Sequence, residues 1–183
     1  MAVDTILETR RLLLRQHRPT DKEAYCVMEM DPEVRRFAGG KPRTRESAEQ
    51  RFRQNLKTQN EPLGVWATVL KETGAYVGRC GIYSHFDRSG QVIAGEAALS
   101  LYIAHAFWRN GYATEAATGL LFYGFKQLKL IRIVANIQEE NAASIHIMHK
   151  LGFRLISKEE ANKVFLHYAT TADEYELIND PRI

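Results

Sequence analysis

Residues 108 to 116 read Trp-Arg-Asn-Gly-Tyr-Ala-Thr-Glu-Ala, and this stretch constrains the chain more than any other. It follows a strand-like run, Ala97 to Ile103, and opens a helix-like run, Ala113 to Leu128. A short glycine-containing turn between a strand and a helix leaves backbone N–H groups without partners. These groups point along the helix axis, where the dipole adds partial positive charge. The guest that suits such a turn is a phosphate or pyrophosphate. The chain must therefore contain a strand–turn–helix unit, and that unit predicts a phosphate-bearing ligand.

Length and composition narrow the setting. At 183 residues, 45% hydrophobic and 26% charged, the chain suits one α/β domain with a core of its own over 1–183. No apolar run approaches the roughly 18 residues of a membrane helix. Asp4, Glu8, Arg10 and Arg11 interrupt the N-terminal region, so it does not read as a secretory signal. A cytoplasmic protein without membrane association is expected. The formal net charge is +3. Arg35, Arg36, Lys41, Arg43, Arg45, Arg51 and Arg53 cluster, either as a solvated helical face or as an attractor of anionic ligands. No aromatic–basic stacking pattern accompanies them, which argues against nucleic acid as a partner. Cys26 and Cys80 lack metal-ligand spacing and read as buried thiols. The six histidines form no metal signature, so no metal is expected.

Periodicity and turn residues give the order of elements. Arg11 to Arg15 is a short strand, and Thr20 is an N-cap for a helix running to about Met30 and stopping at Asp31-Pro32. A short segment, Pro32 to Phe37, ends at Gly39-Gly40, and Thr44 starts a helix to about Thr58. Val65 to Lys71 and Tyr76 to Tyr83 form a hairpin, Ser84 to Gln91 is a loop, and Val92 to Ile103 is a long fourth strand. After the helix from Ala113 come a strand, Ile131 to Ile137, and a helix from Asn141 to Lys150 ended by Gly152. Phe153 to Ser157 and Lys163 to Thr170 are the last strands, and Asp173 to Ile178 is a final helical turn. The order β-α-α-β-β-β-α-β-α-β-β describes one α/β domain with a mixed sheet.

This order resembles the GNAT N-acetyltransferase superfamily, and within it the RimJ/RimL-like branch of ribosomal-protein N-terminal acetyltransferases. Four stretches carry the resemblance: Leu7 to Arg15, Asp31-Pro32-Glu33-Val34 with Gly39-Gly40, Phe107 to Ala116, and Asn141 to Ser144 followed by Lys150 to Phe153. Gly111 and Ala113 fit the superfamily's phosphate signature, while Trp108 stands where Gln or Arg is usual. The resemblance implies an α+β fold with a mixed, mostly antiparallel central sheet, splayed between the fourth and fifth strands and flanked by helices. It also implies acetyl transfer from acetyl-CoA to a primary amine.

The resemblance further assigns roles to residues. The amides of Arg109, Asn110, Gly111, Tyr112, Ala113 and Thr114 would hold the pyrophosphate, with the Arg109 side chain adding charge. Gly111 would allow close backbone approach. Leu101, Tyr102 and Ile103 would pair with the pantetheine arm and offer an N–H to the developing oxyanion. Asn141 either caps its helix or contacts the pantetheine. Ser144 would protonate the leaving thiolate, because Met148 stands where relatives carry a Tyr. Glu96 is the candidate general base, directly or through water, against the alternative of a solvated strand carboxylate; His85 and Tyr83 are further candidates. An α-amine with pKa of about 7.7–8.0 needs less base assistance than lysine at about 10.4. The acceptor site is expected from Asp31 to Lys41 plus Ser84 to Gln91, its arginines suggesting an acidic acceptor. The acceptor is a peptide N-terminus or a small-molecule amine, and a CoA-binding module without catalysis is the competing class. Exposed sheet or helix edges leave room for a homodimer.

Overall fold

The computed structural model describes residues 5–57, 61–160 and 163–178. Among these, eight strands hydrogen-bond in the order β1-β2-β3-β4-β5-β6-β8-β7. They are β1 (Thr5–Glu8), β2 (Leu12–Arg15), β3 (Gly64–Leu70), β4 (Tyr76–Phe86), β5 (Val92–Ile103), β6 (Arg132–Gln138), β7 (Arg154–Glu160) and β8 (Val164–Thr171). The helices are α1 (Lys22–Met30), α2 (Pro32–Arg35), α3 (Arg45–Lys57), α4 (Tyr112–Phe122), α5 (Ala142–Lys150) and α6 (Ala172–Ile178). The sheet is mostly antiparallel, and the β5–β6 pair is parallel. The chain divides into two compact units, 1–81 with 100–119, and 82–99 with 120–183.

In the first unit the apolar spacing of α1 and α3 decides the packing. Tyr25 and Cys26 of α1 meet Ala48 and Phe52 of α3, all essentially inaccessible to solvent. Ala48 and Phe52 are four residues apart and so lie on one helix face. Leu12 and Leu14 alternate inward from β2 and are fully buried. Both cysteines are buried, and burial raises the Cys80 thiol to about 11, an inert state.

The first helix begins differently from the sequence expectation. Thr20 lies in a 3-10 turn, Pro19–Asp21, and does not cap. Asp21 instead accepts from the backbone N–H of Arg18 at 2.7 Å and holds Arg15 in a two-pronged pair at 2.7 and 2.8 Å. Asp21 stands at the N-cap position of α1 without a side-chain capping bond, because its carboxylate is committed to Arg15 and to the Arg18 N–H. The strand Thr5–Glu8 was not expected at all. It closes against β2 with Leu7 opposite Leu14.

In the second unit the expected loop from Ser84 is strand as far as Phe86. Ser84 and His85 are half-buried and Phe86 is exposed at this end of β4, and only Asp87 to Gln91 turns. Asp87 accepts from the N–H groups of Ser89 and Gln91 there. The helix expected to run to Leu128 leaves α geometry at Tyr123 and widens to a π turn over Tyr123–Gln127. A Cβ at Gly124 would stand 2.8 Å from Ile133 and 3.3 Å from Ile82, so glycine permits the close seat on β4 and β6. The parallel β5–β6 ladder pairs Glu96 with Arg132, Ala97 with Ile133 and Ala98 with Val134, and then stops. That early end is the splay expected between the fourth and fifth strands.

Candidate active site

The turn after β5 is built by two left-handed residues. Arg109 has φ 62° and Gly111 has φ 78°. Glycine takes that region freely, whereas an L side chain in it costs about 1–2 kcal/mol. The turn is braced from within. Asn110 Nδ2 donates to the carbonyls of Phe107 and Trp108 at 3.2 and 3.0 Å. Trp108 Nε1 donates to the Ile103 carbonyl at 2.7 Å, tying the end of β5 to the turn. Gly111 O accepts the first bond of α4, from Glu115 N at 3.0 Å. The N–H groups of Gly111, Tyr112, Ala113 and Thr114 therefore open a helix without intrahelical partners. These amides and the two left-handed residues form a concave donor set that fits a phosphate.

Glu115 and Arg11 were missed by the sequence reading. The Glu115 carboxylate accepts from Thr9 Oγ1 at 2.6 Å, Arg11 N at 2.7 Å and Arg11 Nε at 2.6 Å. Burial pushes its pKa up, but these bonds and the Arg11 charge outweigh that and hold it below the ordinary carboxylate range. The Arg11 guanidinium lies over the Tyr112 ring, 4.6 Å from its centre. A Cβ at Gly111 would sit 3.5 Å from Arg11 Nη2. A second arginine beside Arg109 thus stands at the turn. Its only sequence signal was the Leu7 to Arg15 stretch, 104 residues away from its partner.

Of the expected pantetheine stretch, Leu101 and Tyr102 are half-buried and Ile103 is buried. The Arg79 guanidinium lies 3.8 Å from the centre of the Tyr102 ring. Arg79 in turn binds Glu29 Oε1 through Nε at 2.9 Å and Nη2 at 2.7 Å. Glu29 is fully buried and also takes Arg35 at 3.3 Å and Arg43 at 2.8 Å. The desolvation of Glu29 acts to raise its pKa, and the charges and bonds of Arg79, Arg35 and Arg43 bring it below the ordinary value. This corrects the expectation that Arg35 meets an acidic acceptor: Arg35 is 7% exposed and committed to Glu29. Arg45 and Arg53 are likewise paired, with Glu23 and Glu49. Arg36 is exposed and stacks on Phe37 at 5.1 Å.

In the second unit Glu96 is not a solvated strand carboxylate. Its side chain is 12% exposed and both oxygens are engaged. Oε2 meets His85 Nδ1 at 2.9 Å, and Oε1 meets Arg132 Nη1 at 3.3 Å. The trio exists because β4 extends past Tyr83, and because β6 pairs in parallel with Arg132 directly beside Glu96. Asn141 Oδ1 accepts from Ser144 N at 3.2 Å, so the side chain caps α5 as its spacing predicted. The Ser144 hydroxyl has no protein partner among the described residues. Asn141 and Ser144 are thereby brought together, while neither is bonded to Glu96.

Comparison with known proteins gives the family and the fold. The model of the acetyltransferase (GNAT) domain matches residues 11–154. An uncharacterized N-acetyltransferase, p20, from Bacillus licheniformis is 30% identical over 150 residues, spanning 81% of this chain and 82% of its own. The uncharacterized N-acetyltransferase YoaA of Bacillus subtilis is 32% identical over 154 residues, spanning 81% and 82%. A solved GNAT-family acetyltransferase from Bacillus anthracis shares the fold, with a TM-score of 0.80 and 24% identity over 91% of this chain and 98% of that one. No helix among the described residues is long and apolar enough to cross a membrane. The chain belongs to the GNAT acetyltransferases, enzymes that transfer an acetyl group from acetyl-CoA to an amine acceptor.

Proposed function

We propose that this acetyltransferase, acting as a single domain over 1–183, modifies a protein N-terminal α-amine, as in the RimJ/RimL-like branch. The observation that carries the reading is the state of Glu96. Both oxygens of this carboxylate are already held, one by His85 and one by Arg132, so neither is left open to an incoming ammonium. Weak assistance suffices for an α-amine with pKa of about 7.7–8.0, and falls short for a lysine at about 10.4.

The rest of the site is assigned on the same reading. The amides of Arg109 to Thr114 hold the pyrophosphate of acetyl-CoA, with Asn110 contributing its backbone alone because its side-chain amide is bound inside the turn. Arg109 and Arg11 supply positive charge. Leu101, Tyr102 and Ile103 face the pantetheine arm. They do so mainly through N–H groups, since Trp108 already occupies the Ile103 carbonyl. Asn141 fixes the start of α5, leaving its amide nitrogen for the cofactor arm. Ser144 gives its hydroxyl proton to the leaving sulfur. Glu96 belongs to the apparatus that removes the amine proton.

The test is thiol release from acetyl-CoA with a panel of acceptors: peptides with free N-termini, the same peptides blocked at the N-terminus but carrying lysine, and polyamines and amino acids. Turnover confined to free N-termini is expected. Turnover with the small amines and none with the peptides overturns the acceptor assignment.

A further inference from the structure

The residue that receives the amine proton is open to a sharper assignment than a carboxylate on β5. Glu96 is poorly placed to receive it directly. Its side chain is turned inward, and each oxygen has a protein donor, His85 Nδ1 at 2.9 Å and Arg132 Nη1 at 3.3 Å. His85 is twice as exposed, at 24% against 12%. A carboxylate opposite Nδ1 places the proton on Nδ1 and leaves the lone pair on Nε2. Nε2 has no protein partner among the described residues.

We propose that His85 Nε2 is the proton acceptor of the reaction, and that Glu96 is a positioning residue which fixes the tautomer and the ring. This rests on the reading of the chain as an amine acetyltransferase. The ammonium form of the acceptor gives one proton to Nε2. The freed nitrogen lone pair attacks the thioester carbonyl carbon and the C–N bond forms. The C–S bond breaks with its electron pair on sulfur. The nitrogen sheds a second proton as the amide forms, and the sulfur gains one. Imidazolium returns its proton to water, so one proton is released per acetyl group transferred.

The groups beside His85 along the chain and across the sheet have partners of their own. Glu96 on β5 faces it directly, and Arg132 on β6 offsets that carboxylate. Asp87, two residues along, is held by its own turn, where Oδ1 accepts from Ser89 and Gln91. Arg88 lies in the exposed hairpin turn. Tyr83 and Phe86 are both about half exposed on β4, Tyr83 on the same strand face as His85 and Phe86 on the opposite one.

The experiment is a pH profile of kcat and kcat/KM with acetyl-CoA and an active acceptor, for wild type, His85→Gln, Glu96→Gln and Glu96→Asp, with thermal midpoints recorded for each. His85→Gln is expected to lower kcat about 100-fold or more, with the KM for acetyl-CoA unchanged, since a positioned general base contributes 10²–10⁴-fold. It should also flatten the acid limb of the profile. Glu96→Gln should lower kcat about tenfold while keeping an acid limb, and Glu96→Asp should recover part of that loss. His85→Ala should regain turnover with added imidazole. Wild-type kcat and an unchanged profile in His85→Gln, with activity lost in Glu96→Gln, overturns the assignment and leaves the acetyltransferase reading standing. A folded wild type that acetylates no primary amine overturns that reading and this proposal with it.

Discussion

His17 gives the chain a stability that drains away on mild acidification. Its ring is 3% exposed, edge-on to Tyr25 and Phe52 at 5.8 Å from each centre. Burial lowers its pKa from 6.5 to about 4; Asp21 opposes that shift, and Arg79 and Arg15 reinforce it. The folded state therefore holds the ring neutral where the unfolded chain would bind a proton. With more protons bound in the unfolded state between these two values, stability is full above pH 6.5 and falls as pH drops toward 4. Each pKa unit is worth about 1.4 kcal/mol, so the whole window amounts to about 3 kcal/mol, and the step from pH 7 to pH 5 to about 2 kcal/mol. Urea unfolding at pH 7, 6 and 5 measures it. The quantity to read is the difference between wild type and His17→Phe, which retains an aromatic ring in the aromatic cluster. That difference should change by about 2 kcal/mol over the interval, to the disadvantage of the wild type at pH 5. Parallel stability profiles for the two proteins would refute the reasoning. Carboxylates such as Asp21 and Glu29, whose folded pKa values lie below their ordinary ones, lose their stabilisation only at lower pH.

Glu29→Gln should leave Arg79, Arg35 and Arg43 around a neutral amide, destabilising the chain by about 3–5 kcal/mol, measured by denaturant midpoint. The double change Glu29→Met with Arg79→Met should cost less than the sum of its parts. Glu115→Gln should cost about 1–2 kcal/mol at neutral pH and make the loop at Thr9 to Arg11 more susceptible to limited proteolysis. Gly111→Ala makes only an ordinary contact, 3.5 Å to Arg11 Nη2, but must hold φ 78°, so it should raise the KM for acetyl-CoA severalfold while changing the thermal midpoint by only a few degrees. Gly119→Ala puts a Cβ 2.9 Å from Leu7 and Thr9 side-chain atoms and should cost about 1–3 kcal/mol by urea unfolding.

Local signals carried much of the fold. The helix stop at Asp31-Pro32, the cap at Asn141 and the glycine end at Gly152 all stand where residue chemistry puts them, because each is decided within one turn of backbone. Boundaries failed where a distant partner decides. Thr20 falls inside a 3-10 turn and Asp21 takes the N-cap position, its carboxylate held by Arg15, six residues away. The helix after Tyr112 lost its α period at Tyr123 because Gly124 lets it sit against Ile133 and Ile82, a contact that no helical pattern encodes. Thr5–Glu8 was invisible since four residues show too little alternation to outweigh the charges around them; their strand form depends on β2 alongside.

The site divides along the same line, between what one stretch of backbone sets and what a distant strand decides. A phosphate turn is a backbone device, so its donors are fixed by Gly111 and the helix that follows, and nine consecutive residues suffice to see it. A proton acceptor is a side-chain device whose character depends on what stands across the sheet. Glu96 and His85 are eleven residues apart, with a hairpin between them that the sequence assigned to loop from Ser84. Arg132 is 36 residues away and reaches Glu96 only because β6 lies parallel beside β5 at that register. Shift the pairing by one residue and Arg132 passes to the opposite face, leaving the carboxylate free to act as a base by itself. The choice between Glu96 as base and Glu96 as the holder of His85 is thus a question of strand register, which composition and periodicity along one strand do not contain.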